Sequence, residues 1–401
     1  MERLTRYVKD AWNITQALYV TKKAARLNIA LGNVSGDMDS VIGSIILGYY
    51  LTYKNDFYAE EEKGDLDVEN LSEDRLSKFV VPIINMNNKE LEARHDIICH
   101  LEKSGVVRDQ IVSYDMLDMD YFVSQDNLEV NLVDHNHPDC NQEQLIPYVT
   151  NIYDHHLDKE TEYPKIKYKD VRFCGAAVTL VVNAILEDAD LADKLVDDKV
   201  ALFFCSAILI DSVNLSEDLR GKKWDQIDED TYKKLKSIAG ETIPDDYFKE
   251  LYHNKVDEKI NIALGYNLLA RKDYKNFKMG NGLMIGISTV FLDIKICEKE
   301  FTAEKLVDEF KDIMKERDLD LYVILTHYED EGVKRQILSY STDKELSDKA
   351  VELWEGIEDI KLDRIEVGAL KDVEGCYVWQ NHATSYSRKK FEPFIRKFYE
   401  N

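Results

Sequence analysis

Three times between residues 27 and 156 the chain runs through a strand-like apolar stretch and ends it on an aspartate. Leu27 to Gly32 leads to Asp37-Met38-Asp39-Ser40, Leu132-Val133 to Asp134-His135-Asn136, and Val149-Thr150-Asn151-Ile152-Tyr153 to Asp154-His155-His156. A lone aspartate after a strand is most simply a turn residue or a helix cap. Three of them, each behind β-type sequence, ask for a common explanation. In an open α/β sheet, ligands bind outside the carboxyl ends of the strands. Aspartates and histidines gathered there make a hard, oxygen-rich cation site with some imidazole. That donor mix suits Mg²⁺ or Mn²⁺, and two ions rather than one.

The rest of the pattern agrees with such a sheet. Leu27 to Gly32, Phe79 to Asn85, Gln110 to Tyr114, Leu128 to Val133 and Val149 to Tyr153 read as strands. Helical spacing follows from Val41 to Tyr53, capped by Asp39 or Ser40, and again over Lys89 to Ser104. Gly175 opens an apolar helix over Ala176 to Leu186, and Lys199 to Ile210 reads as a buried helix ending at Asp211. Strands alternating with helices predict a mostly parallel sheet with helices on both faces. Lys54 to Asp74 is acidic and reads as loop with some helix. Asn214 to Lys259 is polar and reads as a connection between domains with helices of its own. Beyond it come strands at Leu283 to Val290, Leu321 to Thr326 and Val333 to Ser341, and a helix at Lys344 to Glu355. The expected organisation is therefore a metal-binding catalytic domain over 1–225, a helical linker over 226–260 and a smaller α/β domain over 261–401.

A chain of 401 residues exceeds one typical core, which favours two domains. No apolar run is long enough to span a bilayer, because Lys and Asp interrupt each one, and Met1 to Arg6 has no apolar signal region. Six scattered cysteines without a Cys-x-x-Cys pair argue against a disulfide framework or zinc ribbon. They favour a reducing compartment, so a cytoplasmic location is expected. The formal charge of −25 opposes nucleic-acid binding, whose affinity comes mostly from phosphate neutralisation. It leaves room for a local cationic site where divalent ions, Lys and Arg converge.

Six ordered stretches resemble the motifs of the DHH phosphoesterase superfamily, and of its DHHA2 subgroup in particular. They are Gly32 to Ser40, Val133 to Asn136, Asp154-His155-His156, Ala207 to Ser212 with its helix-terminal Asp211, Asp273-Tyr274-Lys275-Asn276-Phe277, and Ser387-Arg388-Lys389-Lys390. The resemblance implies two α/β domains with the active site in the cleft between them. It implies that Asp134 bridges two divalent cations and that Asp39, His155 and Asp211 complete the shell of one, with Asp37 on the other. His156 matches a phosphate-contacting histidine beside Lys275, Arg388 and Lys389. Asp154 is expected to orient the histidines after it. His135 is either a partner of a ligand or a phosphate contact, and His382, just before the Ser-Arg-Lys motif, is a candidate phosphate contact or an ordinary loop residue.

Within the subgroup, family II pyrophosphatases carry a metal-ligating histidine where this chain has Asn33, and Pro-Asp where it has Gly36-Asp37. An amide oxygen at 33 would suit Mg²⁺, with Mn²⁺ or Co²⁺ possible alternatives. The expectation is an exopolyphosphatase, a monomeric metal-dependent hydrolase that removes terminal phosphate from linear inorganic polyphosphate. The rivals are an inorganic pyrophosphatase or short-chain polyphosphatase, and a prune-like interaction protein with residual activity. A DHH nuclease is disfavoured, because its Gly-Gly-Gly-His motif is absent.

Overall fold

A computed structural model describes residues 1–24, 26–59 and 66–399, so 60–65 of the acidic stretch lie outside the described residues. The chain forms two compact units: the first is Met1–Leu91 with His95–Tyr252, the second Glu92–Arg94 with His253–Asn401.

The first unit is built on a five-stranded, wholly parallel sheet. Its strands are β1 (Leu27–Leu31), β2 (Val81–Ile83), β3 (Leu128–Val133), β4 (Val149–Asp154) and β5 (Tyr168–Val171), in the order β2-β1-β3-β4-β5. β1 is buried at every position, as a strand covered by helices on both faces must be. Pro82 is tolerated in β2 because that strand lies at the sheet edge. The principal helices are α1 (Glu2–Ile14), α2 (Met38–Lys54), α3 (His95–Lys103), α4 (Ala177–Leu186), α5 (Asp198–Asp211) and α6 (Gln226–Ala239). α2 is buried from Met38 to Tyr53 and packs on β1, β3, α4 and α5.

Several boundaries differ from expectation. Asp37, not Asp39 or Ser40, caps α2, and the helix begins at Met38. Residues 110–114 do not form a strand. They make one bridge, Ile84 to Ser113, between short 3₁₀ turns at Arg108–Gln110 and Tyr114–Met116. The helix expected over 89–104 is interrupted, with a 3₁₀ turn at Glu90–Ala93 ahead of α3. The polar segment after residue 214 is not a free connection either. α6 buries Thr231, Leu235 and Ala239 and packs on α5 and α4, so residues up to Tyr252 belong to the first unit.

The second unit holds a mixed sheet: β6 (Tyr274–Lys278), β7 (Met284–Val290), β8 (Leu321–Thr326), β9 (Tyr328–Glu329), β10 (Val333–Tyr340), β11 (Leu362–Ile365) and β12 (Cys376–Asn381). The order is β11-β12-β10-β8-β7-β6, with β9 on β10. Alternation in β8 separates two cores, as the pleat requires. Tyr322 and Ile324 join Leu306, Phe310 and Ile313 of α7 (Ala303–Glu316). Leu321, Val323 and Leu325 join Leu353 and Trp354 of α8 (Lys344–Glu355) and Phe391 of α9 (Arg388–Tyr399).

Candidate metal centre

The carboxyl ends of β1, β3 and β4 lie side by side in the first sheet, which brings the three aspartate turns together. Gly32 permits the first turn, because a Cβ there would lie 2.7 Å from the Ser40 carbonyl oxygen. Asp134 follows β3 in the left-handed region, φ 63°, a conformation a non-glycine residue adopts at a cost. Its N–H donates to the Tyr153 carbonyl at 3.0 Å, so the turn is fixed to β4 while its side chain leaves the sheet.

Four groups meet that side chain. Its Oδ2 accepts from the Ser40 hydroxyl and the Asn33 amide nitrogen, each at 2.6 Å. Its Oδ1 faces His155 Nε2 at 3.3 Å and His156 Nδ1 at 3.7 Å. The donor atoms of Asp134, His155 and His156 all lie within 4.8 Å of one another, close enough to share an ion. Asp39, 1% exposed, lies 3.9 Å from His155 Nε2. Both of its oxygens accept N–H groups from the start of α4, Ala177 at 2.6 Å and Val178 at 2.9 Å. A helix N-terminus suits a carboxylate by its unpaired N–H groups and its dipole. Asp211, the last residue of α5, acts electrostatically on both Asp39 and His155.

The histidines are aimed by what lies behind them. His155 Nδ1 donates to the Cys174 carbonyl at 3.0 Å, which turns Nε2 toward the carboxylates. Asp154 is fully buried, and its Oδ1 accepts from the His155 N–H and from His156 Nδ1, both at 2.8 Å. Its Oδ2 accepts from Asn136 at 2.5 Å. Ser40, Asn136 and the Cys174 carbonyl are parts of the site that sequence reasoning missed. A serine, an asparagine and a main-chain carbonyl leave no distinguishing pattern in a sequence.

The charges show why a cation fits here. Burial raises the Asp39 carboxyl well above its ordinary range, and the negative charges of Asp134 and Asp211 push the same way. Burial would also raise Asp134, but hydrogen bonds and charge from His155, with His156 and Ser40, hold it below the usual carboxylate range. Burial would lower His155, and Asp134, Asp39 and Asp211 outweigh it and raise the imidazole well above neutral. The proton held by His155 thus answers crowded carboxylates that a divalent ion would answer better. Oxygen-rich donors with one or two imidazoles fit a hard divalent cation.

Other expected site residues are placed differently. Asn33 does not present its oxygen as a ligand. Ser35 donates its N–H to Asn33 Oδ1 at 2.7 Å, and a main-chain N–H can only donate, so the amide nitrogen must face Asp134. Asp37 is the half-buried cap of α2, accepting from Ser40 N–H at 3.1 Å, and is not part of the close cluster. His135 turns back on its own strand, with Nδ1 on the Val133 carbonyl at 2.9 Å. Its Nε2 is enclosed, so no ring nitrogen is open to a phosphate, and burial lowers the imidazole's pKa.

In the second unit, Arg388 opens α9 and pairs with Asp273 at 2.7 Å, two residues before Lys275 on β6. Burial would raise Asp273, but the Arg388 guanidinium holds its carboxyl below the usual range. Lys389 is exposed. His382 is separated from this group. It follows β12 and pairs with Asp363 at 2.8 Å, with β10, β8 and β7 lying between β12 and β6.

A parallel sheet with carboxylates and imidazoles gathered at its carboxyl edge, followed by a mixed-sheet unit, defines a two-unit α/β protein whose first sheet carries a candidate metal centre. Residues 263–398, about a third of the chain, match the family model described as the DHHA2 domain, and with the relatives that follow this supports the resemblance to the DHHA2 subgroup of the DHH phosphoesterase superfamily. It is 26% identical over 271 residues to "Exopolyphosphatase PRUNE1" of Homo sapiens, covering 67% of this chain and 53% of that protein. It is 24% identical over 398 residues to a "Putative exopolyphosphatase" of Schizosaccharomyces pombe, covering 93% of this chain and 91% of that one. The chain spans about half the length of the mammalian relatives it matches. Among solved structures, a Methanococcus jannaschii protein described as a putative family II inorganic pyrophosphatase superimposes with a TM-score of 0.60 at 21% identity. That match covers 94% of this chain and 100% of the other, and it shows a shared fold. No helix among the described residues is long and apolar enough to cross a membrane.

Proposed function

We propose that this protein is a metal-dependent exopolyphosphatase that hydrolyses the terminal phosphoanhydride bond of linear polyphosphate and releases orthophosphate. The observation that carries the reading is the convergence of Asp134, His155 and His156 donor atoms at the carboxyl edge of the sheet, with Asp39 beside them. Relatives named as exopolyphosphatases support the substrate class.

In this reading Asp134 would be shared between two divalent cations, Asp39, His155 and Asp211 would help hold one of them, and Asp37 would serve the other from its capping position. Bound cations would supply a water acidified toward neutral pH and charge to clamp phosphate oxygens. The chain's own residues do the rest. Asp154 holds His155 and His156 in register. His156 meets a phosphate oxygen. Asn33 and Ser40 keep the Asp134 carboxylate oriented through its Oδ2. Lys275, Arg388 and Lys389 bind further phosphates of the chain, Arg388 with a planar fork suited to two oxygens at once.

The test is phosphate release from pyrophosphate, tripolyphosphate and long-chain polyphosphate, each with Mg²⁺, Mn²⁺ and Co²⁺. The expected result is metal-dependent release with higher kcat/KM on tripolyphosphate or longer chains than on pyrophosphate. Preference for pyrophosphate would replace the reading with a pyrophosphatase. Absence of release from all three under every metal would refute an anhydride hydrolase.

A further inference from the structure

The metal centre is aimed by a stretch of chain that contributes no ligand. Residues 174–179 comprise the end of the link from β5 and the first turn of α4. The Cys174 carbonyl fixes His155, and the Ala177 and Val178 N–H groups fix Asp39. One short segment therefore orients two of the expected ligands.

What holds that segment is Asp228, in the first turn of α6. Its side chain has no exposure to solvent. Its Oδ2 accepts from the Gly175 N–H at 2.7 Å and the Asp225 N–H at 2.9 Å, and its Oδ1 accepts from the Thr179 hydroxyl at 2.6 Å. The bond to Asp225 is half of an ordinary capping box. Capping alone would leave the residue at the surface and would not reach Gly175 and Thr179. The fit is close: a Cβ on Gly175 would come within 3.1 Å of Trp224 Cβ and 3.3 Å of Asp228 Cγ. Trp224 is itself buried and tied by Nε1 to the Ser216 carbonyl at 2.8 Å. A second tie, Asn183 to Thr231 at 2.6 Å, fastens α4 to α6 one turn further on.

We infer that Asp228 is a positioning residue of the metal centre, holding segment 174–179 so that the Cys174 carbonyl and the first N–H groups of α4 aim His155 and Asp39. The inference rests on the reading of Asp134, Asp39 and His155 as metal ligands. Residues behind a ligand set ligand orientation, and losing one typically weakens metal binding 10- to 100-fold.

Asp228→Asn, Asp228→Ala and Thr179→Val in the full chain test it, with Asp134→Asn alongside. In Asp228→Asn the amide oxygen still accepts from Gly175 and Asp225, while its NH₂ group faces the Thr179 oxygen. It is the variant that keeps the fold if Asp228→Ala does not. Mn²⁺ affinity is read by calorimetry, and the ring protonation pattern of His155 by ¹⁵N–¹H correlation in the metal-free protein. The expected result is Mn²⁺ affinity lowered roughly 10- to 100-fold in Asp228→Ala, less in Asp228→Asn and least in Thr179→Val, with altered His155 ring signals. Wild-type Mn²⁺ affinity and unchanged His155 signals in folded Asp228 variants, while Asp134→Asn loses the metal, would overturn the role of Asp228 and leave the site standing. Wild-type Mn²⁺ affinity in Asp134→Asn as well would overturn both.

Discussion

Asp134→Asn separates the metal role of this side chain from its structural one, because the surroundings can accept the amide. The amide oxygen can take the place of Oδ2 and keep the two 2.6 Å bonds from Ser40 and Asn33. The NH₂ group then points to where Oδ1 stood, 3.3 Å from His155 Nε2. With Nδ1–H on the Cys174 carbonyl, a neutral His155 offers Nε2 as an acceptor, so the new donor is satisfied. No buried polar group is orphaned, and a buried negative charge is removed from beside Asp39 and Asp211. The variant gives up the charge pair that holds a proton on His155 in the metal-free wild type, so it should still fold but with stability lowered by roughly 1–3 kcal/mol, short of the cost of leaving a buried charge unpaired. Metal binding should suffer twice, since the bridging charge is gone and the His155 lone pair is occupied by the amide. Charge stabilisation by bound cations is worth several kcal/mol, and about 4 kcal/mol corresponds to roughly 10³-fold in rate. The assay pairs urea unfolding of the metal-free protein with Mn²⁺ calorimetry and phosphate release. A folded variant with wild-type metal affinity and half of wild-type turnover would refute the metal assignment.

Three further outcomes are expected. Arg388→Ala and Lys389→Ala should raise KM and lower kcat on polyphosphate while Mn²⁺ affinity stays within about twofold, because in the proposed reading these groups would meet phosphate in both ground and transition states; unchanged kcat/KM in both would refute their role. His100 is buried against Phe203 and bonded to the Tyr247 hydroxyl at 3.0 Å, and burial lowers its pKa from 6.5 to about 4. Its folded pKa is depressed, so the unfolded chain binds the proton first. Stability should fall as pH drops from about 6.5 toward about 4, by about 2 kcal/mol at pH 5, and His100→Gln should remove that part of the slope in urea unfolding; an identical slope would refute it. Asn33→His replaces the amide nitrogen that faces Asp134 with an imidazole able to present a lone pair. It should shift metal preference toward Co²⁺ or Mn²⁺ and raise the ratio of pyrophosphate to long-chain hydrolysis; equal losses on both substrates with unchanged metal preference would refute it.

What the sequence disclosed was set by local chemistry. β1, β3, β4, α2, α4 and α5 are apolar for most of their length, and such runs are legible because burial on both sides leaves no room for another pattern. Asp39, Asp134 and His155 stood at the ends of those runs and come together as the topology requires. The errors have the opposite cause. Residues 110–114 are apolar enough for a strand, yet only Ser113 bridges Ile84, so composition described burial and not pairing. His382 lies six residues before Arg388, but the chain leaves β12 there, next to β11 and separated by three strands from β6, which carries Lys275 and follows Asp273. Asp228 sits among charged helix formers and looks solvated; its burial depends on Gly175 and Thr179, some fifty residues upstream.

Asn33 shows most clearly what residue identity leaves undecided. An asparagine offers an oxygen to a cation or a nitrogen to a carboxylate with equal ease. The choice is made by the Ser35 main-chain N–H, which claims the oxygen and leaves the nitrogen for Asp134. A histidine at that position could ligate an ion; the asparagine orients the carboxylate that would bridge two. If two ions bind as proposed, an asparagine here would give up a ligand to one of them and add a donor to Asp134, so that ion would take more of its shell from water or phosphate. A site with that opening is suited to a substrate that brings its own oxygens, as each successive terminus of a polyphosphate chain does.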